Sequence, residues 1–224
     1  MNIERINFKA DGYVSCESCF YTSGDRLSER VNYSFKKGIN KLTGDIDEGV
    51  WAVSYYLSMF RYRPKDFTIW NKSSEALTLK NAEITVNDTV MSLKDFSEYS
   101  CYMDQKLYPL FSTKKTIRQL VTKGIKKNKL DCSADEIKEM FCLDEQRFER
   151  PVFCVGNERF RSMAAIGYAF GKQVYCFPWH SKFRTDYYQG HLKFLLPKLE
   201  ELGMTVIFPT GRLDTYYNCF ITKV

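Results

Sequence analysis

The chain has 224 residues, 44% of them hydrophobic and 27% charged, a composition that excludes wholesale disorder and allows one substantial domain. No run approaches the roughly 18 uninterrupted apolar residues of a membrane-spanning helix, and the opening stretch MNIERINFKADG lacks the apolar segment of a secretory signal. The net charge of +6 is compatible with nucleic-acid binding, and the placement of the lysines decides how this charge is interpreted.

Short alternating or β-branched runs, separated by Gly, Asp, Asn and Ser, predict strands through the first hundred residues: IERINF, VNYSF, GINKLTG, DFTIW and AEITV. One segment differs, because GVWAVSYYLSMFRYR (residues 49–63) is apolar enough to be a buried helix. Between the predicted strand Gly38–Thr43 and this helix lies GDIDEG, with the G-x-x-x-x-G spacing of a phosphate-binding loop. The strand–loop–helix setting is the context that such a loop requires.

Residues 105–160 are predicted to be helical. In the basic stretch 114–130, with Ser112 or Thr113 as the expected cap, the apolar residues recur on one helix face. They are Ile117, Leu120, Val121 and Ile125. The lysines fall mostly on the other face, which favours a solvated helix surface over nucleic-acid binding, since no interleaved aromatic residues accompany the charge. A second helix is predicted from Ser133, which forms a capping box with Glu136.

Beyond Pro151, helices and strands alternate, which predicts a parallel sheet with helices packed on it. We expect a helix ending at Gly171, the strand QVYCF, a helix interrupted by Pro197 and ending at Gly203, and the strand MTVIFP. The segment YYNCFITKV follows. The cysteines in apolar runs (Cys154, Cys176, Cys219) are interpreted as small buried hydrophobic residues.

This order of elements resembles the nucleotide-binding domain of ATP-binding cassette (ABC) ATPases. The first loop of that family reads G-x-x-G-x-G-K-S/T. The matching residues here are Gly44, Asp45, Ile46, Asp47, Glu48, Gly49, Val50 and Trp51. The outer glycines remain, while Asp47 replaces the middle glycine, Val50 the lysine and Trp51 the hydroxyl residue.

Four further segments follow the same resemblance. Gln105 stands where the family glutamine reaches the magnesium ion and the attacking water. The signature L-S-G-G-E/Q resembles residues 154–158, where Gly156 and Glu158 match but Val155 and Asn157 replace the serine and the second glycine. Matching residues after the signature are Arg161, Ala164 and Ala165. The positions of the family Asp-Glu-Pro and switch histidine are held by Pro178, Trp179, His180 and Gly211.

The resemblance implies that the chemistry of phosphoryl transfer is lost. Val50 supplies no charge to the phosphates, Trp51 and Pro178 cannot hold Mg²⁺, and Trp179 cannot polarise water. A carboxylate about 4 Å from a phosphate would also cost roughly 4 kcal/mol at an effective dielectric of about 20. Acids before a helix also favour its dipole, so for Asp47 and Glu48 both a structural role and exclusion of nucleotide stay open.

Other groups of residues give weaker evidence of function. Cys16 and Cys19 form a C-x-x-C without a second pair, so an incidental spacing is favoured over a zinc site. Cys176 lies four residues before His180, but a packed thiol is favoured over a nucleophile. Trp179, with His180 and the loop that extends to His191, is either part of an interface or part of the core.

The resemblance therefore implies one α/β domain over residues 1–224, with an ABC-ATPase-like P-loop fold and a mixed sheet. Its parts are an antiparallel β-rich and loop-containing core (1–104), a helical subdomain (about 105–160) and an α/β core (161–224). We expect a catalytically degenerate protein without a cofactor, since ATP and Mg²⁺ are not expected to bind, that pairs with an ABC ATPase or membrane transporter subunit. That pairing implies a cytoplasmic location, at the inner face of the membrane through a transporter. A homodimer or heterodimer, a nucleotide sensor, and an atypical ATPase using Lys41 or the loop acids stay open.

Overall fold

The computed structural model describes residues 1–11, 31–43, 50–59, 80–103, 115–178, 188–210 and 220–223. The described strands are β1 (Arg5–Asp11), β2 (Val31–Lys36), β3 (Gly38–Thr43), β4 (Lys80–Val86), β5 (Thr89–Met91), β6 (Ser100–Tyr102), β7 (Val174–Cys176), β8 (Thr205–Thr210) and β9 (Phe220–Lys223). The described helices are α1 (Val50–Met59), α2 (Leu93–Phe96), α3 (Ile117–Asn128), α4 (Ala134–Met140), α5 (Glu145–Phe148), α6 (Arg159–Ala169) and α7 (Gln189–Glu201). Single 3₁₀ turns occupy Val152–Cys154 and Gly156–Glu158.

The N-terminal strands form an antiparallel sheet in the order β2-β1-β4-β5. Alternation along β1 explains its position, because Ile6, Phe8 and Ala10 are buried while Lys9 is exposed. The turn between β4 and β5 is made by Asn87 and Asp88, both with positive φ, as a tight hairpin requires. The predicted strand DFTIW lies outside the described residues.

The second sheet is parallel, in the order β6-β7-β8-β3-β9. All six residues of β8 are buried, as is typical of a strand covered on both faces. The expected combination of antiparallel and parallel strands with helices is confirmed. The two strand directions are separated into two sheets.

Two hydrophobic clusters lie on opposite faces of the parallel sheet. In one, Leu42 of β3 and Ile207 of β8 pack with Val53 and Leu57 of α1 and with the antiparallel sheet. In the other, the sheet residues Ile39, Tyr175 and Val206 pack with the helices α3, α6 and α7. Helix α1 is therefore enclosed between the two sheets, and the helices of the second half cover the outer face.

The residue predicted to cap the first helix of the basic stretch is corrected by the structure. Thr116, and not Ser112 or Thr113, caps α3 and forms a capping box with Gln119. Thr116 also makes a β-bridge with Pro151, a long-range contact that fixes where the helix starts. The capping box of Ser133 with Glu136 at the start of α4 is confirmed.

Two further expectations are corrected. Helix α7 runs through Pro197 without interruption, because the ring lies on the exposed side, where water can replace the backbone hydrogen bond that proline cannot make. Cys154 is exposed, because the 3₁₀ turn that holds it does not continue an apolar strand, whereas Cys101 and Cys176 are buried. Cys219 and the C-x-x-C pair Cys16 and Cys19 lie outside the described residues.

Candidate functional site

Four of the motif-like segments follow the carboxyl ends of four strands of one parallel sheet. Strand β3 ends at Thr43 before the glycine-containing loop, and β6 ends at Tyr102 before Gln105. Strand β7 ends at Cys176 before Pro178, and β8 ends at Thr210 before Gly211. Because the carboxyl ends of parallel strands meet at one edge of a sheet, this edge is the candidate site.

The strand Gly38–Thr43 is confirmed with the predicted bounds, and the helix after the loop begins at Val50. Loop residues 44–49 lie outside the described residues, as do Gln105, Trp179, His180 and Gly211. The roles assigned to these residues stay predictions.

Two buried serine hydroxyls, those of Ser54 and Ser100, join α1 to the neighbouring strands. Ser54 Oγ donates to the carbonyl of Phe177 at 2.6 Å, and Ser58 Oγ donates to the carbonyl of Ser54 at 2.7 Å. From the sheet side, Ser100 Oγ donates to the carbonyl of Leu57 at 2.7 Å. Sequence reasoning missed these anchors, although serines at positions i and i+4 of an apolar helix were a signal that the helix carries buried hydroxyls.

Lys41 lies within β3, where its side chain is 2% exposed. Side chains alternate along a strand, so Lys41 shares a face with Ile39 and not with Leu42. Ile39 belongs to the cluster on the outer face, while Leu42 packs with α1. The Lys41 side chain therefore leaves the strand on the face of the sheet opposite the helix that follows the loop.

The end of β7 is apolar. Burial raises the pKa of the Cys176 thiol well above its usual range, and Pro178 beyond it is buried. Phe177 packs against Phe160 and Phe208, with ring centroids 5.7 and 5.3 Å away. Within the described ranges, no three His, Cys, Asp or Glu residues are close enough together to hold a metal ion.

The signature-like segment is held by arginines from its own chain. Val155 is buried, and its carbonyl accepts a 2.9 Å hydrogen bond from Arg147 Nη1. Glu158 Oε1 accepts a 2.8 Å bond from Arg161 Nη2, and Glu158 Oε2 lies 3.7 Å from Arg147 Nε. Between them, Gly156 has φ of +53°, is exposed, and has no atom within 4 Å of the place where a Cβ would stand.

His191, near the start of α7, belongs to this charged group. Burial and the charges of Arg161 and Arg147 lower its pKa, and Glu158 raises it. Beside it, the guanidinium of Arg159 stacks on Phe160 at 4.9 Å and on Tyr188 at 5.2 Å. Sequence reasoning placed Glu158 and Arg161 in this segment but missed Arg147 and the contribution of His191, because both come from distant elements.

No protein-family model and no curated protein matches the sequence. Solved structures do match. A putative ABC transporter ATP-binding protein from Pyrococcus furiosus is similar over 98% of this chain and 96% of its own, with 12% identity and a TM-score of 0.59. The protein cbiO1 from Clostridium perfringens, part of the ABC transporter complex cbiONQ, is similar over 96% of this chain and 81% of its own, with 13% identity and a TM-score of 0.56. A bacterial ABC transporter cassette solved as a dimer matches 93% of this chain and 88% of its own, with 16% identity and a TM-score of 0.53.

The chain has the fold of an ABC transporter ATP-binding cassette. At these identities the similarity establishes the cassette fold and no activity. None of the helices described in this chain is both long and apolar enough to cross a membrane.

Proposed function

We propose that the chain is a catalytically degenerate ABC-type ATPase that serves as a structural or regulatory partner of an intact ABC ATPase or transporter. One observation carries the proposal. Three of the segments whose residues depart from the family pattern follow the carboxyl ends of β3, β7 and β8, where a nucleotide would lie in a parallel sheet. The departures therefore fall at the positions that perform chemistry in an ABC cassette.

Phosphoryl transfer depends on positioning and charge neutralisation. In this chain, the helix at the site opens with Val50 in place of the lysine. At the end of β7 stands buried Pro178, which offers no oxygen ligand for Mg²⁺ from its side chain. The aromatic packing of Phe177 gives this strand end an apolar environment, unsuited to a bound metal. These features support the proposal that the protein does not hydrolyse ATP.

The signature-like segment supports a role in protein contact. The Glu158 carboxylate, with a side chain 12% exposed, is engaged by Arg161 and Arg147 of the same chain. Gly156 stays exposed with open space around it, so a partner surface can approach its backbone closely. This arrangement provides a fixed, accessible backbone beside a carboxylate that is already paired.

The names of the structural neighbours indicate the kind of partner. One neighbour is part of a transporter complex, and another was solved as a dimer. We accordingly propose that this chain pairs with an ABC ATPase, with itself, or with a membrane subunit, which would place it at the inner face of a membrane. We propose neither a nucleic-acid partner nor a bound cofactor for this chain.

A nucleotide sensor is the second candidate, and the position of α1 favours it. The helix starts at Val50, directly after the loop at the carboxyl end of β3, and a helix N-terminus can bind phosphate through its backbone N–H groups. An atypical ATPase is less favoured, because Lys41 lies on the face of the sheet away from α1.

Two measurements test the proposal. The purified chain is assayed for Mg²⁺-dependent ATP hydrolysis, with turnover far below about 1 s⁻¹ expected. A turnover near that value would contradict degeneracy. The tagged chain is then purified from its native cells, and an ABC ATPase or transporter subunit is expected with it. Recovery of the chain as a monomer, without either protein, would contradict the partner role.

A further inference from the structure

The last two turns of α3 and its cap carry a cluster of exposed lysines, which we call the α3 lysine patch: Lys123, Lys126, Lys127 and Lys129. Among the described residues, none of the four forms an ion pair. Arg118 on the same helix differs, because Asp135, Glu145 and Glu149 surround its guanidinium. The carboxylates of the helical subdomain thus neutralise the start of α3 and leave the other end positive.

Helix dipoles account for only part of this charge. Helix α3 ends inside the patch, and α6 ends beside it, where Asn128 Nδ2 donates to the carbonyl of Ala169 at 2.9 Å. Each helix C-terminus is equivalent to about half a negative charge, so the two together offset about one of the four lysines. Asp131, the acid that follows the patch in sequence, offsets about one more. Counted over the residues that the structure describes, an excess positive charge remains at the patch.

The apolar face of α3 is already occupied. Ile117, Leu120 and Val121 are buried, and Gly124 lies against Ala169 of α6. The helix therefore cannot insert an apolar face into a bilayer or a groove. Any partner of this surface must be attracted by charge at a distance and not by buried apolar area.

The kind of residue in the patch limits the class of partner that can bind it. Protein interfaces are depleted of lysine and enriched in arginine and aromatic residues. The patch consists of lysines, and the ring beside it, Phe170, is half-buried with its centroid 5.9 Å from Lys127 Nζ. Recognition of bases combines lysine with arginine, asparagine and glutamine. The patch itself consists of lysines alone, and the neighbouring Asn128 is engaged with the carbonyls of Gly124 and Ala169. Lysine ammonium groups are strongly hydrated point charges, which suit a hydrated anionic surface.

We propose that the α3 lysine patch binds the anionic headgroups of a phospholipid membrane. The attraction is electrostatic and reversible, with the lysines remaining in water above the headgroups. It is independent of nucleotide and of the protein partner proposed above, and it gives the helical subdomain a preferred side toward the membrane.

Vesicle co-sedimentation of the purified chain tests the inference. Binding to phosphatidylserine-containing vesicles, but not to pure phosphatidylcholine vesicles, is expected at low salt and is lost at high salt. The double variant Lys126→Gln/Lys127→Gln is expected to bind roughly thirtyfold more weakly, at about 1 kcal/mol per lysine. The matched variant Lys9→Gln/Lys94→Gln removes two exposed lysines elsewhere and is expected to bind as the parent does. Circular dichroism verifies that both variants are folded.

Three results would overturn the inference. They are the absence of sedimentation with anionic vesicles, an equal loss in both double variants, and preferential binding of duplex DNA that Lys126→Gln/Lys127→Gln abolishes. The second result would attribute binding to net charge alone. The third would assign the patch to nucleic acid.

Discussion

The hydroxyl of Ser54 donates a 2.6 Å hydrogen bond to the carbonyl of Phe177. This bond joins α1, the helix after the glycine-containing loop, to the strand end that leads to Pro178. Both groups are buried, so the bond fixes the relative position of two segments that hold phosphate and metal in an ABC cassette. The bond therefore holds the start of the second half of the site, at the end of β7, against the helix that follows the loop.

The first prediction concerns this anchor. Ser54→Ala removes the donor to a buried carbonyl, and we expect the free energy of unfolding to fall by about 1–3 kcal/mol. Urea titration measures the change. Ser162→Ala is the matched control, because Ser162 is equally buried in α6 and its hydroxyl has no hydrogen-bond partner among the described residues. The control is expected to be neutral or stabilising, and an equal loss in both variants would contradict a specific role for Ser54.

The second prediction concerns the contact between α3 and α6. A Cβ at Gly124 would lie 2.7 Å from the carbonyl carbon and 2.8 Å from the Cβ of Ala169, so the two helices would have to separate. Gly124→Ala should lower the free energy of unfolding by about 1–3 kcal/mol. Gly190→Ala in α7 meets open space and should raise it by up to about 0.5 kcal/mol. Unchanged stability of Gly124→Ala in a denaturant titration would show that the helices are not packed this closely.

The third prediction concerns pH. Burial and the charges of Arg161 and Arg147 lower the pKa of His191, so the unfolded chain takes up the proton more readily than the folded one. The contribution of His191 to stability is therefore present above its unfolded pKa, near 6.5, and is lost as the pH falls through the folded pKa. Thermal midpoints measured between about pH 8 and pH 5 should fall less steeply for His191→Asn than for the parent. Parallel curves would contradict the assignment.

Local sequence signals predicted much of the fold. The strand Gly38–Thr43 was predicted with its observed bounds, because its residues combine β-propensity with a following turn. The capping box of Ser133 with Glu136 was also predicted, since it depends on residues three apart. The prediction of the α3 cap was wrong. Ser112, Thr113 and Thr116 can all cap a helix, and the bridge between Thr116 and Pro151 selects Thr116.

The features of the site that could not be predicted from the sequence depend on contacts between residues in different elements of the chain. Arg147 reaches Val155 and Glu158 only because α5 packs near the start of α6. Similarly, the face on which Lys41 lies follows from which helices cover each side of the sheet. The order of the strands, which brings four motif-like segments to one edge, is a property of the folded chain alone.

The most direct test of the central claim is a thermal-shift titration of the purified chain with ATP, with and without Mg²⁺. A ligand at a hundred times its Kd stabilises a native state by about 2.7 kcal/mol. For a chain of this size, such binding would raise the melting temperature by roughly 5 to 10 °C. We predict no shift at millimolar ATP, as expected for a cassette fold that has lost its nucleotide chemistry. A clear Mg²⁺-dependent rise would contradict the claim and would assign the chain to the nucleotide sensors or the atypical ATPases.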